Sequence, residues 1–508
     1  MLLEVLAQRA REQPDRVFLL HEGQRVSYAD FELASNRAAH ALIALGVGKG
    51  DRVTLAMANS VEYLVAAFGA LKAGAIYNPV NAQLGAEELG FILKHAEPKV
   101  LLTDDANVDH LRHPLLTLPT SCTIALYSPS SSSSSAPQAA IDFSRAVAAA
   151  SQDPPSVLVT PDDLSTLLYT SGTTGRPKGV LFQHRSTGAA GKHFCATLAI
   201  TADDTILAVT PLFHGNAWGA VVTALQAGGT VAYPVAFRAT EFWPLVHATG
   251  ATVLYTLGTI LAILLNREPS DEERSNRLRV IVGLGSAPIR DRVIERFGVE
   301  HVAECFGSTD AGVVTITPLG SAPRPGSAGP PVPDVGIKIV GEDGNEAGLG
   351  QSGEILIHSP HRMAAYFRDD EQTAAALRDG WFHTGDLGYL DRDGWLYFVD
   401  RKRDVIRRGG ENISSMLVEK VLLQHPAVAE AAVVGVPDPV LGQEVKAFVV
   451  ARSAVTPDEL RMFAAERLAK FQVPRLWELR ESLPKTPTQR VEKYKLREQS
   501  TKGGTLLG

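Results

Sequence analysis

Between Leu167 and Val180 the chain reads Leu-Leu-Tyr-Thr-Ser-Gly-Thr-Thr-Gly-Arg-Pro-Lys-Gly-Val, an order of residue types that points to phosphate chemistry. An apolar strand runs into the hydroxyls of Thr170, Ser171, Thr173 and Thr174, interleaved with Gly172 and Gly175, and then into Lys178. Glycines let backbone N–H groups approach an anion closely, and Ser and Thr add further donors. Lys178 supplies compensating positive charge. The segment is not a Walker loop, in which lysine follows the second glycine directly. Arg176-Pro177 intervene here, and Pro177 opposes a helix starting where a Walker helix starts. A plain Gly/Ser/Thr turn would rarely gather so many phosphate-binding groups in so short a span.

The elements that must hold such a loop follow from the pattern on either side. Strand-like and helix-like runs alternate through most of the first 400 residues. Arg52–Ala56 precedes a helix around Glu62–Lys72, and Thr252–Tyr255 precedes an apolar helix around Gly258–Asn266. Alternation of this kind indicates parallel strands joined by crossover helices, hence an α/β core. Near position 400 the texture changes to the charged run Asp400-Arg401-Lys402-Arg403-Asp404, followed by Arg407-Arg408-Gly409-Gly410. A helix over Ser415–Gln424, strands near Ala429–Val436 and Val445–Val450, and a helix over Pro457–Ala469 then read as a small α+β domain. The serine run Ser130–Ser135, closed by Ala136-Pro137, reads as a mobile surface loop.

Composition narrows the function classes. The 508 residues are 45% hydrophobic and 21% charged, an ordinary water-soluble globular balance, and the length suggests about three structural units. A net charge of −7 gives no basic field for nucleic acid. From Asp404 onward 16 Lys and Arg face 13 Asp and Glu, so a mildly basic end follows an acidic body. Cys122, Cys195 and Cys305 are too widely spaced for a disulfide framework or a zinc site. The start, through Val17, reads as an amphipathic helix without the features of a secretion signal, so the cytoplasm is the expected compartment. From Leu207 to Phe237 the only ionisable residue is His214, but Pro211, Gln226, Gly228, Gly229 and Pro234 interrupt the run. A buried helix over about Trp218–Gln226 and a strand over Thr230–Tyr233 are expected there, not a membrane span.

The loop at Thr170–Lys178 resembles the phosphate-loop signature of the adenylate-forming superfamily, which includes acyl-CoA synthetases, free-standing adenylation domains and firefly-type luciferases. Five further segments resemble that superfamily's motifs in the same order. They are Pro211-Leu212-Phe213-His214, Gly283 through Pro288, Phe306-Gly307-Ser308-Thr309-Asp310, Trp381 through Asp386, and Asp400 through Asn412. The resemblance implies a large multi-sheet α/β domain over 1–402 and a small mobile lid over 403–508, rotating about a hinge near Arg403. It implies that ATP and a carboxylic acid give an acyl-adenylate and pyrophosphate, after which coenzyme A takes the acyl group. Thr170–Lys178 would then hold phosphates, Thr309 would bind phosphate oxygen and Asp310 would coordinate Mg²⁺. Phe306 would stack on adenine beside Gly307, and Ser286, Ala287 and Pro288 would line its other side. Asp386 and Arg401 would hold the ribose hydroxyls, and Gly409 and Gly410 would border the pantetheine path. His214, Gly215, Trp218, Gly285 and Gly307 would face the acyl group. Taken singly, Asp310 reads as a helix cap, His214 as a core histidine and Trp218 as packing. Nothing suggests nucleophilic work for Cys305.

Departures from the family pattern carry their own expectations. Phe306 and Asp310 stand where the family usually has Tyr and Glu, and Arg403 where the hinge usually has Asp or Lys. The C-terminal signature ends in Gln489-Arg490 where the family has Gly-Lys, and that lysine reaches the carboxylate and α-phosphate. A planar guanidinium does not replace a compact ammonium conservatively. Weakened adenylation with preserved thioester formation is therefore expected, with Lys493, one helical turn on, as a substitute if that stretch is helical. The alternatives are a half-reaction specialist working with a complementary ligase, an enzyme loading an acyl carrier protein, and a non-catalytic nucleotide binder. Arg407 through Ser414 looks most like the carnitine-CoA-ligase and medium/long-chain branch. Small residues at 215, 217, 219, 220, 285 and 287 leave room for a bulky apolar or fatty acid. Dimers are common in the family.

Overall fold

Short β-branched runs bounded by Gly, Pro and Asp turns form the strands, and in the larger part of the chain helices wind back between them, so that most neighbouring strands there run parallel. The computed structural model describes residues 1–112, 118, 121–127, 140–170, 177–286, 289–322, 324–409, 411–485 and 491–502. The serine run 130–135 lies outside the described residues.

The chain divides into two compact units, Met1–Gly336 with His358–Phe382, and Ile337–Ile357 with His383–Gly508. The length had suggested three. The larger unit holds a separate two-stranded hairpin, Cys305–Ser308 with Gly312–Ile316, and two large sheets in one body because the chain visits them in alternation. It starts the first sheet with Val17–His21 and Gln24–Ser27, builds the second up to Lys178–Gln183, and returns to the first at Thr205–Ala208. The first sheet has the order His301–Ala303, Val280–Leu284, Val253–Leu257, Thr205–Ala208, Thr230–Ala232, Val17–His21, Gln24–Ser27. Only its last pair is antiparallel. The second has the order Ala365–Tyr366, Lys178–Gln183, Leu164–Thr170, Ile76–Pro79, Arg52–Ala56, Val100–Thr103, Thr123–Leu126, Ile141–Asp142.

The helices follow their sequence causes. Val61–Lys72 is apolar on nearly every face and is buried on nearly every face, and Ser60 caps it by accepting the Tyr63 N–H at 3.0 Å. Gly215–Ala227 starts three residues before the sequence pattern suggested, because His214 caps it, and it ends at the left-handed Gly228. Thr230–Ala232 follows as a strand. The first helix covers only Leu2–Glu12, since Pro14 follows closely and Val17–His21 is already strand. No helix among the described residues is long and apolar enough to cross a membrane.

In the smaller unit one sheet has the order Leu396–Arg401, Trp381–Leu390, Gly353–His358, Gly336–Val340, its first pair antiparallel. A second is built on the long hairpin Val428–Asp438 and Gly442–Ala451, with Ile406–Arg408, Glu411–Ile413 and Leu476–Arg480 beside it. Helices Ser415–Leu422 and Pro457–Ala465 contribute Val418, Leu422, Leu460 and Ala464 to the core over this sheet.

In the larger unit Lys72 is buried, with Nζ 2.7 Å from the Glu32 carboxylate and 2.6 Å from Asn36 Oδ1. The pair ties helix Tyr28–Ala44 to helix Val61–Lys72. Lys72→Met alone leaves Glu32 without its cation and is expected to cost about 3 kcal/mol. Adding Glu32→Leu is expected to recover most of that loss, read as urea midpoints of the single and double variants.

Candidate active site

On the phosphate side, strands Leu164–Thr170 and Lys178–Gln183 pair antiparallel with Thr170 opposite Lys178, so both residues stand at the base of the intervening loop. Ser171, Gly172, Thr173, Thr174 and Gly175 lie outside the described residues. Lys178 Nζ sits over the ring of Tyr366, 5.2 Å from its centroid, and no carboxylate among the described residues pairs with it. Tyr366 lies on the edge strand Ala365–Tyr366, opposite Val180. Burial, and after it the hydrogen-bonded Asp310 carboxylate, raise the Tyr366 pKa. The phenol therefore stays protonated and donates to Asp310. The Asp310 carbonyl in turn accepts the Met363 N–H at 2.8 Å. Lys178, Tyr366 and Asp310 thus form one run of contacts within the larger unit. Sequence reasoning found the lysine and the aspartate but missed Tyr366, which has no surrounding cluster of hydroxyls or glycines.

A magnesium ion fits this side only in one way. Among the described residues there is no group of three His, Cys, Asp or Glu able to hold a metal. Asp310 is one half-buried carboxylate, and the neighbouring Thr309 hydroxyl makes no hydrogen bond to a described residue. One carboxylate is what Mg²⁺ needs when substrate phosphates and water supply the remaining oxygens.

Glu304 organises the turn that the resemblance assigns to adenine, and nothing in the sequence pointed to it. Its carboxylate accepts three hydrogen bonds from one turn: the Gly285 N–H at 2.7 Å, the Ser286 N–H at 2.9 Å and the Ser286 hydroxyl at 2.7 Å. The fully buried Ser286 hydroxyl also lies 2.8 Å from the Gly283 carbonyl. Ala287 and Pro288 lie outside the described residues. Two residues beyond Glu304, the half-buried Phe306 donates its N–H to Thr315 Oγ1 at 3.1 Å, on the hairpin Cys305–Ser308 with Gly312–Ile316. A Cβ at Gly307 would meet the Gly312 carbonyl oxygen at 2.4 Å, so only glycine fits there. Burial pushes the Cys305 thiol well above its ordinary pKa, as expected of a residue without nucleophilic work.

At the acyl position, His214 Nδ1 accepts the Asn216 N–H at 3.1 Å, and Trp218 stands one turn further on. The indole packs on Tyr77 and Phe68, with centroids 5.1 and 5.8 Å away. A Cβ at Gly215 or at Gly285 would meet no atom within 4 Å, so there is open space beside both.

The smaller unit carries the remaining expected residues. Asp386 and Arg401 are opposed across a strand pair, with Arg401 Nε 3.6 Å from Asp386 Oδ1. Gly409 has φ +59 and donates its N–H to the Leu441 carbonyl at 2.9 Å. Beside it Arg408 and the buried Glu444 form a forked pair at 2.6 and 2.9 Å that fastens the loop to the long hairpin. Gly410 and Arg490 lie outside the described residues. Lys493 is not available as a substitute lysine in this structure. Its Nζ is held 2.7 Å from Glu419 and 2.7 Å from the Ser415 hydroxyl, which donates in turn to Asp400. The helix begins only at Lys493, so the one-turn spacing from residue 490 does not apply.

A large α/β unit with an antiparallel strand pair at Thr170 and Lys178 and a half-buried carboxylate under a glycine turn, together with a small α+β unit, is the architecture of an adenylate-forming enzyme. The sequence pattern of the AMP-binding enzyme family matches residues 6–367, and that of the AMP-binding enzyme C-terminal domain matches residues 417–490. The chain belongs to this family, in the acyl-CoA synthetase branch of the adenylate-forming superfamily. It is 34% identical to the sulfoacetate–CoA ligase of Cupriavidus necator over 97% of both chains. It is 32% identical to the crotonobetaine/carnitine–CoA ligase of Salmonella arizonae over 94% of both. The crystal structure of ATP-bound MatB from Rhodopseudomonas palustris matches with a TM-score of 0.89 and 28% identity, over 98% of this chain and 99% of that one.

Replacing Glu304 by Gln keeps the side chain's size but removes its charge and turns one acceptor into a donor that faces N–H groups. ATP affinity, measured by titration calorimetry, is expected to fall about tenfold to a hundredfold. Unchanged affinity would mean that the turn holds its shape without the carboxylate.

Proposed function

We propose that this chain is an ATP- and magnesium-dependent acyl-CoA ligase of the cytoplasm that carries out both half-reactions on one carboxylic acid. In the first, a carboxylate oxygen attacks the α-phosphorus, the bond to the β-phosphate oxygen breaks, and pyrophosphate leaves. In the second, the sulfur of coenzyme A attacks the acyl carbon, the bond to the AMP oxygen breaks, and the thiol proton passes to solvent. The observation that carries the reading is the connected run Lys178–Tyr366–Asp310, a cation without a described carboxylate partner linked to a carboxylate suited to Mg²⁺.

Each residue then has a definite task. Lys178 and the hydroxyls of Thr170 and Thr309 neutralise and orient the phosphates. Asp310 holds Mg²⁺, and the bound ion supplies charge neutralisation at the phosphate oxygens. Tyr366 fixes the Asp310 carboxylate by donating to it. Phe306 stacks on adenine while Glu304, through Ser286, keeps the facing turn in shape, and Asp386 with Arg401 takes the ribose hydroxyls. Residues 403–508 act as a lid hinged near Arg403 that presents Arg490 for adenylation and the Gly409 loop for thioester formation.

The two half-reactions are separable in the test. Pyrophosphate release from ATP·Mg²⁺ is followed over a panel of acids, and synthetic acyl-adenylates are supplied separately with coenzyme A or with an acyl carrier protein. Turnover in both assays with one acid is the expected result, with coenzyme A preferred as acceptor. Activity in only one assay would make the chain a half-enzyme that needs a complementary ligase. Arg490→Lys is expected to raise pyrophosphate release about tenfold and leave the thioester step within about twofold. Lys493→Ala is expected to lower the melting temperature of the smaller unit by stranding Glu419, without abolishing adenylation. If Lys493→Ala instead removes pyrophosphate release from a folded protein, Lys493 and not Arg490 serves the reacting phosphate.

A further inference from the structure

We infer that the acid this enzyme activates is a monocarboxylate whose acyl part carries an uncharged hydrogen-bond acceptor, received by His214 and Trp218. The inference rests on the proposed reading of this helix end as the acyl site, and it adds the chemistry of the acid.

Two N–H donors stand here without protein partners. His214 Nδ1 is occupied as an acceptor by the Asn216 N–H, so the neutral ring carries its proton on Nε2. That Nε2–H meets no hydrogen-bond partner among the described residues. Trp218 follows four residues later on the same helix face, and its indole nitrogen is a donor only. It too has no partner among the described residues, while Tyr77 and Phe68 fix the plane of its ring. Both side chains are half-buried, neither sealed nor fully in water.

Most other polar groups around them are satisfied, the fully buried Thr256 hydroxyl excepted. The Asn216 amide donates to the Thr256 carbonyl at 3.3 Å and accepts from the Thr210 hydroxyl at 3.2 Å. Tyr77 and Tyr63 share a hydrogen bond at 2.7 Å, and Tyr255 shares one with Thr223 at 2.9 Å. Thr223 also donates to the Gly219 carbonyl at 2.7 Å. The Thr256 hydroxyl is sealed, so the two half-buried N–H donors are what this surface offers a ligand.

Charge at this end of the site is equally restricted. Burial alone lowers the His214 pKa, with no charged side chain contributing, so the imidazole is neutral at pH 7 and offers a second anion no counter-charge. A second carboxylate or a sulfonate on the acid would lose its hydration without gaining a counter-ion. An acid with no acceptor would strip water from two donors and give them nothing in return. An ether, ketone or hydroxyl oxygen avoids both losses.

The test uses the full chain with saturating ATP·Mg²⁺ and reads kcat/KM for pyrophosphate release. The acids are octanoate, its keto acids with the ketone walked along the chain, the dicarboxylate of equal length and the ω-sulfonate, with phenylpropanoate and its methoxy derivatives as an aromatic series. The best acceptor-bearing acid is expected to exceed its plain counterpart about tenfold. The dicarboxylate and sulfonate are expected to fall about a hundredfold below it. In Trp218→Phe and His214→Phe, with ATP binding measured as the check on folding, the ratio of acceptor-bearing to plain acid is expected to approach one. Preference for a dianionic acid, or an unchanged ratio in both variants, overturns the inference while leaving the ligase reading intact. Pyrophosphate release with none of these acids overturns both.

Discussion

The carboxylate of Glu304 holds together two parts of the site that are remote in topology. It lies at the end of the strand pairing that carries Phe306, and it binds the turn that leaves strand Val280–Leu284 of the parallel sheet. Three donors on one carboxylate form a rigid joint, because each bond is charge-assisted and the Ser286 side chain is fully buried. The rest of the larger unit's site depends on that joint in sequence. Phe306 follows directly, Gly307 permits the close approach to the Gly312 carbonyl, and the turn beyond presents Asp310. Asp310 reaches Tyr366, and Tyr366 carries Lys178 over its ring. Moving the joint would move Phe306 and Asp310, the proposed adenine and phosphate faces, together.

The smaller unit obeys the same economy with different partners. Glu444 takes both nitrogens of the Arg408 fork, and this fixes the strand from which the Gly409 turn projects. Glu419, Ser415 and Asp400 form a buried set that receives Lys493, and Arg497 pairs with Asp404 four residues further along the same helix. The last helix is thereby fastened at two points beside the strand that ends at Arg401. A half-buried lysine held by a carboxylate and a hydroxyl is costly to withdraw, which places Lys493 in the scaffold. In the proposed reading the burden that the family's lysine carries falls on Arg490, whose guanidinium spreads its charge over a plane where an ammonium concentrates it.

Much of this was legible in the sequence, and the division between legible and hidden has a physical basis. Local order was readable: the apolar run into glycine and hydroxyl residues at Leu167–Lys178, the alternation of strands and helices, and the change of texture near 400 all report on neighbours in the chain. Helix Gly215–Ala227 was placed but begun too late, because a histidine is an uncommon cap. Glu304, Tyr366, Glu444 and Asn216 were not found. Each acts through partners that only folding supplies: Glu304 across 18 residues to Ser286, Glu444 across 36 to Arg408, Asn216 across 40 to Thr256. A side chain's type is written in the sequence, whereas its partner is not. Lys493 misled for the converse reason. Periodicity assumes that a helix continues, and an isolated bridge between Lys485 and Val491 precedes this one.

Rate and specificity in this molecule rest on different kinds of interaction. Bringing a carboxylate to a triphosphate opposes two anions, and attraction between fixed charges is the strongest available remedy, so Lys178 and Asp310 gather on the phosphate side. The same remedy at the acyl end would be indiscriminate, because a cation there would hold any second anion and even a misplaced reacting carboxylate. Around His214 no charged side chain shifts the ring, and most polar groups are paired off, leaving two neutral half-buried donors for a ligand. Neutral hydrogen bonds are weak individually, but leaving one unmet inside a site costs more than making it yields. A surface built this way discriminates chiefly by what it leaves unsatisfied, while the charged end stays free to treat every carboxylate alike.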